Sequence, residues 1–299
     1  MGKEITVADL KRLLDERAEL TLIDVLPEEY FAAEHLPGAK NACVYKMDFV
    51  EAMAKLAPRK EARVILYGAS SKGLASAVAV SKLEMAGWSN VTDFKGGLEE
   101  WRNAGHPVEG TGAKDAPAPA NKTYRLNAEE SLIEWTGRNI GGKHTGALKL
   151  TSGEITIEAG KAVNGRFVID MKSITNNDLA DQTLAALLVR HLMSDDFFDV
   201  TNYPEGELTI ASMDPIPDAS PGRPNHHLRG KLKLTGIERD IEFPVLVGMR
   251  ADGALVAQAA FEIDRTQWKI LYGSGRFFEN LGMHLVNDLV GVQLKIVVN

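Results

Sequence analysis

Two hydrophobic periods divide this chain. Through residue 109, apolar runs of about four residues alternate with segments of helical period. Helices are expected over residues 7–20, 28–33, 49–56, 74–86 and 98–103, and strands over 22–25, 64–67 and 91–94. In the first helix Val7, Leu10, Leu13 and Leu14 share a face, with Thr6 at the N-cap position. Short, fully apolar strands alternating with helices predict a parallel sheet covered on both faces, an α/β unit.

From residue 123 the period falls to two. Val163, Gly165, Phe167, Ile169 and Met171 alternate with Asn164, Arg166 and Asp170, and Leu255, Ala257, Ala259, Phe261 and Ile263 repeat the pattern. Further strands are expected over 132–138, 147–150, 154–157, 206–212, 227–234, 238–249 and 289–298. That makes nine, enough to favour an antiparallel barrel or sandwich, since closure removes exposed edges. One helix interrupts them over 178–193, with Leu184, Leu187, Leu188 and Leu192 on one face. The seam is residues 110–122, GTGAKDAPAPANK, where an Ala/Pro run favours extended backbone and cannot build a core. The expected division is therefore an α/β domain at 1–109, a linker at 110–122 and a β-barrel at 123–299.

Composition narrows the function classes. A formal charge of −7 gives no general attraction to phosphate backbones, so nucleic acid is not an expected partner. No run reaches the ~20 apolar residues of a membrane-spanning helix. The single cysteine, Cys43, excludes an intrachain disulfide and Cys-rich zinc sites and suits a reducing compartment. The opening residues 1–20 are interrupted by charges, without an apolar export segment. A cytoplasmic protein is expected. His226 and His227 are adjacent and would face opposite sides of a strand, so no metal is expected there.

In the α/β part, the loop most suited to chemistry follows the strand at 64–67: Gly68, Ala69, Ser70, Ser71, Lys72 and Gly73. With the segments 22–25 (LIDV), 34–39 (EHLPGA) and 96–101 (GGLEEW), it resembles the rhodanese family of sulfurtransferases over about residues 5–108. That resemblance implies a cysteine opening the loop as carrier of a persulfide. Gly68 stands there instead, and Leu26 stands where the family commonly has an arginine. Ser70 and Ser71 have no evident activating base, and persulfide chemistry requires a thiolate. An inactive domain is expected, with no catalytic residue. Regulation, anion binding through the loop amides and Lys72, or docking of a protein partner are its alternative roles. Catalysis by Cys43 is the enzyme alternative.

In the barrel part, the segments 141–146 (GGKHTG), 173–175 (SIT), 191–200 (HLMSDDFFDV), 230–236 (GKLKLTG) and 261–268 (FEIDRTQW) together look like the YceI family. The resemblance implies a lipocalin-like barrel whose apolar interior binds an amphipathic isoprenoid lipid, either an isoprenoid quinone or a polyprenyl carrier. No other cofactor is expected. The candidate lining residues are Trp135, Phe167, Ile169, Leu192, Phe197, Phe198, Phe261 and Trp268, all of which would serve equally in a solid core. His144 and His191 are the candidates for a polar head group, and each would serve equally as a loop cap. Asp195 and Asp196 read as helix caps, and Asp264 with Arg265 as an ion pair or turn. The expectation is a non-catalytic lipid binder, with a scaffold built on a solid barrel as the rival.

Overall fold

The computed structural model describes residues 3–112, 119–250 and 252–299. The chain divides into two compact units, Met1–Asp115 and Ala116–Asn299. The expected linker at 110–122 falls in part on 113–118, outside the described residues.

Among the described residues, the first unit has five strands: β1 (Lys3–Glu4), β2 (Thr21–Asp24), β3 (Lys40–Asn41), β4 (Val64–Tyr67) and β5 (Val91–Phe94). They form a parallel sheet in the order β1-β5-β4-β2-β3. The helices are α1 (Val7–Asp15), α2 (Glu28–Ala33), α3 (Phe49–Leu56), α4 (Ala75–Met85) and α5 (Gly97–Asn103). All four residues of the central strand β4 are buried. Val64 and Leu66 pack into one core cluster with Met53 and Leu83, while Ile65 and Tyr67 pack into another with Leu10 and Trp101. The strand's period of two thus splits one apolar run between the two faces of the sheet.

The edge strands β1 and β3 are two residues long, too short to show a period in the sequence. Helix α1 stops well before residue 20. Arg17 adopts a left-handed conformation with φ 50°, its amide donates to Leu14 O, and the Ala18 amide donates to Leu13 O. This is a Schellman ending, made by an arginine in the place glycine usually takes.

The second unit holds β6 (Thr123–Arg125), β7 (Leu132–Asn139), β8 (Gly142–Glu158), β9 (Lys161–Asp170), β10 (Glu205–Pro215), β11 (His226–Leu234), β12 (Ile237–Met249), β13 (Leu255–Asp264) and β14 (Leu289–Val298), with helix α6 (Gln182–Met193). Among the described residues, eight antiparallel strands, β7 to β14, close a barrel in the order β8-β7-β14-β13-β12-β11-β10-β9 with β9 pairing back to β8. Strand β6 pairs with β8, and the residues at its end hydrogen-bond to the end of β14, Arg125 to Asn299 and Asn127 to Val297. The hairpins β8–β9 and β11–β12 turn on Ala159-Gly160 and Thr235-Gly236, with positive φ at both positions of each pair. These two-residue turns follow the natural twist of paired strands.

Two expectations are corrected. The strands at 147–150 and 154–157 are one strand, β8, whose register shifts between Leu150 and Ser152. Polar residues in mid-strand mark the bulge where β8 leaves β7 and turns toward β9, and bulges bend strands in this way. Helix α6 packs through a stripe rotated from the expected one, keeping Leu188 and Leu192. Ala185 and Leu192 are buried, with Leu188 and Val189 against the core, whereas Leu184 and Leu187 remain half exposed. The small Ala185 permits close approach, so the packing stripe runs through 185, 188, 189 and 192.

Candidate functional site

Inward residues of the barrel do not meet at its centre. They enclose a cavity of ≈ 350 Å³. Its depth is apolar, with Ile133, Leu148, Leu208, Leu232 and Leu294 on the wall, and its polar groups gather at the other end. There stand Asn139 and His144 of the β7–β8 hairpin, His191 near the end of α6, and Tyr272, His284 and Asn287 of the connection between β13 and β14. An apolar pocket with a few polar groups at one end suits an elongated amphipathic ligand.

Of the ten candidate ligand residues, eight line this cavity: Trp135, His144, Ile169, His191, Leu192, Phe197, Phe198 and Phe261. Phe167 and Trp268 do not. Phe167 lines a second cavity of ≈ 100 Å³ deeper in the barrel, and its ring lies over Gly153, where a Cβ would strike the ring's Cδ1 at 2.2 Å. Trp268 is a core plug with 2% exposure. Its Nε1 donates to Leu232 O at 3.0 Å, and its own carbonyl accepts from Thr235 Oγ1 at 2.6 Å. The short 3₁₀ turn Arg265–Trp268 holds it against the strand instead of the cavity.

Two of the cavity histidines, His144 and His191, are bound by carboxylates. His144 Nδ1 lies 2.9 Å from Asp178 Oδ2, and Asp178 Oδ1 accepts from the Thr145 amide at 2.7 Å and from Asn176 Nδ2 at 2.7 Å. Partial burial pushes the Asp178 carboxyl up, but these donors and the facing His144 outweigh it and hold the group at about 2. His191 Nε2 is 3.1 Å from Asp196 Oδ2, and its ring meets Phe197 and Tyr272 edge-on, with centroids 5.0 and 4.7 Å away. Asp196 is therefore the partner of His191 and not a helix cap. Trp135 supplies a further polar group: its Nε1 is buried without a hydrogen-bond partner. In a cavity wall, such a donor is satisfied by a ligand or water acceptor.

Arg265 buttresses the polar end. It is buried, and its guanidinium donates to the carbonyls of Ile270, Asn287 and Val286 at 2.7, 3.0 and 3.1 Å. Asp288 stands 3.5 Å away, while Asp264 binds Arg276 instead. The expected Asp264–Arg265 feature is thus a turn with each residue paired elsewhere. Burial pulls the guanidinium below its ordinary range, opposed by Asp288 and Asp264. Sequence reasoning missed Tyr272, Asp178 and the anchoring role of Arg265, because they join through contacts between distant segments that carry no local pattern. Among the described residues, no group of three His, Cys, Asp or Glu is placed to hold a metal ion.

In the first unit, the loop 68–73 leaves β4 and enters α4. Gly68 O accepts from the Leu98 amide at 3.0 Å and Ala69 O from the Glu99 amide at 2.9 Å, tying the loop to α5. Gly97, with φ 62°, makes this approach possible, since a Cβ there would strike Gly68 O at 2.3 Å. A Cβ on Gly68 itself would meet Ala75 Cβ at 3.4 Å and Leu26 Cδ2 at 3.9 Å, ordinary apolar contacts. Where the rhodanese resemblance implies a thiol beside an arginine, this loop has neither. Lys72 and Ser71 are exposed, and Cys43, outside the loop, is buried.

Compared with known proteins, residues 6–104 match the family described as Rhodanese-like domain, and residues 124–298 match the family described as YceI-like domain. No curated protein gives a significant match. Among solved structures, BcnA of Burkholderia cenocepacia is 19% identical with a TM-score of 0.46, over 58% of this chain and 99% of that one. A polyisoprenoid binding domain from Saccharophagus degradans is 16% identical with a TM-score of 0.44, over 59% of this chain and 97% of its own. A thiosulfate sulfurtransferase from Pseudomonas aeruginosa is 34% identical with a TM-score of 0.32, over 36% of this chain and 20% of its own. The first match ends before the second begins, the second covers more than half of the 299 residues, and the chain belongs to the YceI-like domain family, with a Rhodanese-like domain ahead of it.

Proposed function

We propose that this protein is a non-catalytic lipid binder whose barrel holds a long-chain isoprenoid of the polyprenyl or isoprenoid quinone type. The observation that carries the reading is the ≈ 350 Å³ cavity, apolar in its depth and polar at one end. Each methylene buried there contributes roughly 0.8 kcal/mol, so a filled cavity gives tight binding with few polar contacts. The polar end supplies hydrogen-bonding groups for an oxygen-bearing head group: the Trp135 Nε1–H as a donor and the second ring nitrogens of the two carboxylate-paired imidazoles. The YceI resemblance points to the same ligand class. Among the described residues, no helix is long and apolar enough to cross a membrane.

The rhodanese-like domain serves partner docking, anion binding or regulation in this reading, because Gly68 leaves its loop without a thiol and Leu26 stands where the family commonly has an arginine. Organic extraction of the purified full-length protein followed by mass spectrometry is the test. An isoprenoid in stoichiometric amount is the expected result. An empty barrel that also takes up no added isoprenoid would overturn the lipid reading. A thiosulfate–cyanide assay with turnover well above blank would overturn the non-catalytic one.

A further inference from the structure

The barrel interior is not one space but two, stacked along its axis. Strand β12 shows this directly: Ile241 faces the larger cavity, while Val245 and Val247 face the ≈ 100 Å³ one. Strand β14 gives the same order, with Val292 in the larger and Ile296 in the smaller, and β13 agrees, with Ile263 in the larger and Ala257 in the smaller. Leu208 and Leu294 line both, so the two cavities meet at one layer of the barrel. At that layer Phe243 and Phe261 stack face to face, with centroids 3.9 Å apart and planes within 4°. Phe261 borders the larger cavity and Phe243 the smaller.

We propose that the Phe243–Phe261 pair is a gate across the barrel, and that the chamber behind it receives the far end of a long apolar chain, so that the pair sets the chain length bound. This inference rests on the reading of the barrel as an isoprenoid binder. The neighbouring wall leaves room for the rings to swing. On β13 the small Ala259 and Ala257 follow Phe261 along the inward face, on the side of the smaller cavity. From Phe243 to Val247 the strand advances four residues, ~13 Å along the strand at the ordinary rise and about 10 Å along the axis at the usual tilt of barrel strands, which is the added depth available to a chain. The chamber is apolar apart from His226, whose imidazole is pushed toward its neutral form by burial. No charged group therefore opposes an incoming hydrocarbon end. Aromatic stacking is worth only ~1 kcal/mol beyond ordinary burial, so displacement by a buried chain is within reach.

The experiment compares binding of farnesol, geranylgeraniol and solanesol to the full-length protein by native mass spectrometry with competition. In Phe243→Ala, solanesol is expected to gain about tenfold over farnesol relative to the parent, which converts to 1.4 kcal/mol. Phe243→Leu keeps the layer largely filled and serves where the alanine variant folds poorly; a gain in the same direction is expected. Ala257→Phe fills the rear chamber without touching the front one, and should weaken solanesol about tenfold while leaving farnesol unchanged. If the alcohols bind but neither the Phe243 variants nor Ala257→Phe changes the length preference, the gate is overturned and the lipid reading stands. If none of the alcohols binds the parent protein, both fall together.

Discussion

The two units bury similar side chains to different ends. In the α/β unit, Ile23, Val25, Leu36, Met53, Leu66 and Leu83 all reach 0% exposure, because helices close both faces of a short parallel sheet. In the barrel, Ile133, Trp135, Ile241, Phe261 and Ile263 point inward yet are only partly buried, because a cavity takes the place of opposing side chains. An eight-stranded ring is just wide enough to be either filled or hollow, and the side chains decide which. One interior is fixed by contact with itself; the other leaves a cavity beside its inward side chains.

The largest expected effect lies in this contrast. Leu66→Ala removes a side chain packed on every side and should cost about 3–5 kcal/mol. Ile263→Ala, on the cavity wall, should cost about 1–2 kcal/mol, since the side chain already lacks neighbours on one face. Denaturant titration with hydrogen exchange followed separately in each unit measures both, and equal costs would show the barrel to be as closed as the sheet. Next comes Arg265→Met, which orphans the carbonyls of Ile270, Val286 and Asn287 and leaves Asp288 paired with Arg276. A loss of about 3 kcal/mol is expected, with faster amide exchange concentrated in residues 270–288.

Acid should separate the units further. Asp178 is depressed to about 2, so its contribution to the barrel is complete above the ordinary carboxylate range and is lost as pH falls from about 4 toward the depressed value. Asp24, on β2, behaves oppositely: burial raises its carboxyl, against the amide of Leu26 and the neighbouring Tyr67 and His35. Its penalty on the α/β unit grows as pH rises above about 4 and is relieved in acid. Carboxyl NMR titration of the two groups checks this; an Asp178 midpoint near 4 would remove the contrast.

The smallest stability effect belongs to Gly68→Cys. Its Cβ meets only ordinary contacts, so stability should change by less than about 1 kcal/mol. Thiosulfate turnover should stay at blank in this variant, because Leu26 still provides no cation, and should appear in Gly68→Cys with Leu26→Arg. Turnover in the single variant would show that the thiol alone separates this domain from active rhodaneses.

Elements with a strong local period were legible in the sequence: α2, α3, β4, β5 and β14 occupy the expected residues. Elements defined by a partner were not. Two-residue strands β1 and β3 exist only because β5 and β2 lie beside them, and β8 is one strand only because its two halves pair with different neighbours. Helix α6 has four leucines on one stripe, but Ala185 decides which side can approach the barrel. The same limit applies to the site. Aromatic and aliphatic residues on inward strand faces marked the interior, but Phe167 and Trp268 could not be told from Trp135 and Phe261 by type or spacing. Depth along the barrel axis separates Phe167, and the 3₁₀ turn that packs Trp268 against β11 separates the other.

The sequence by itself determined two units, the parallel and antiparallel character of their sheets, and the loss of the loop thiol at Gly68, because strand period, helix period and residue identity are local properties. Only the tertiary structure decided that the barrel is hollow, that His144 and His191 are each bound by a carboxylate, and that stacked phenylalanines divide the interior. Those features depend on contacts made only on folding, between neighbouring strands and between the barrel and its loops, and on a ring width set by strand number, tilt and register together.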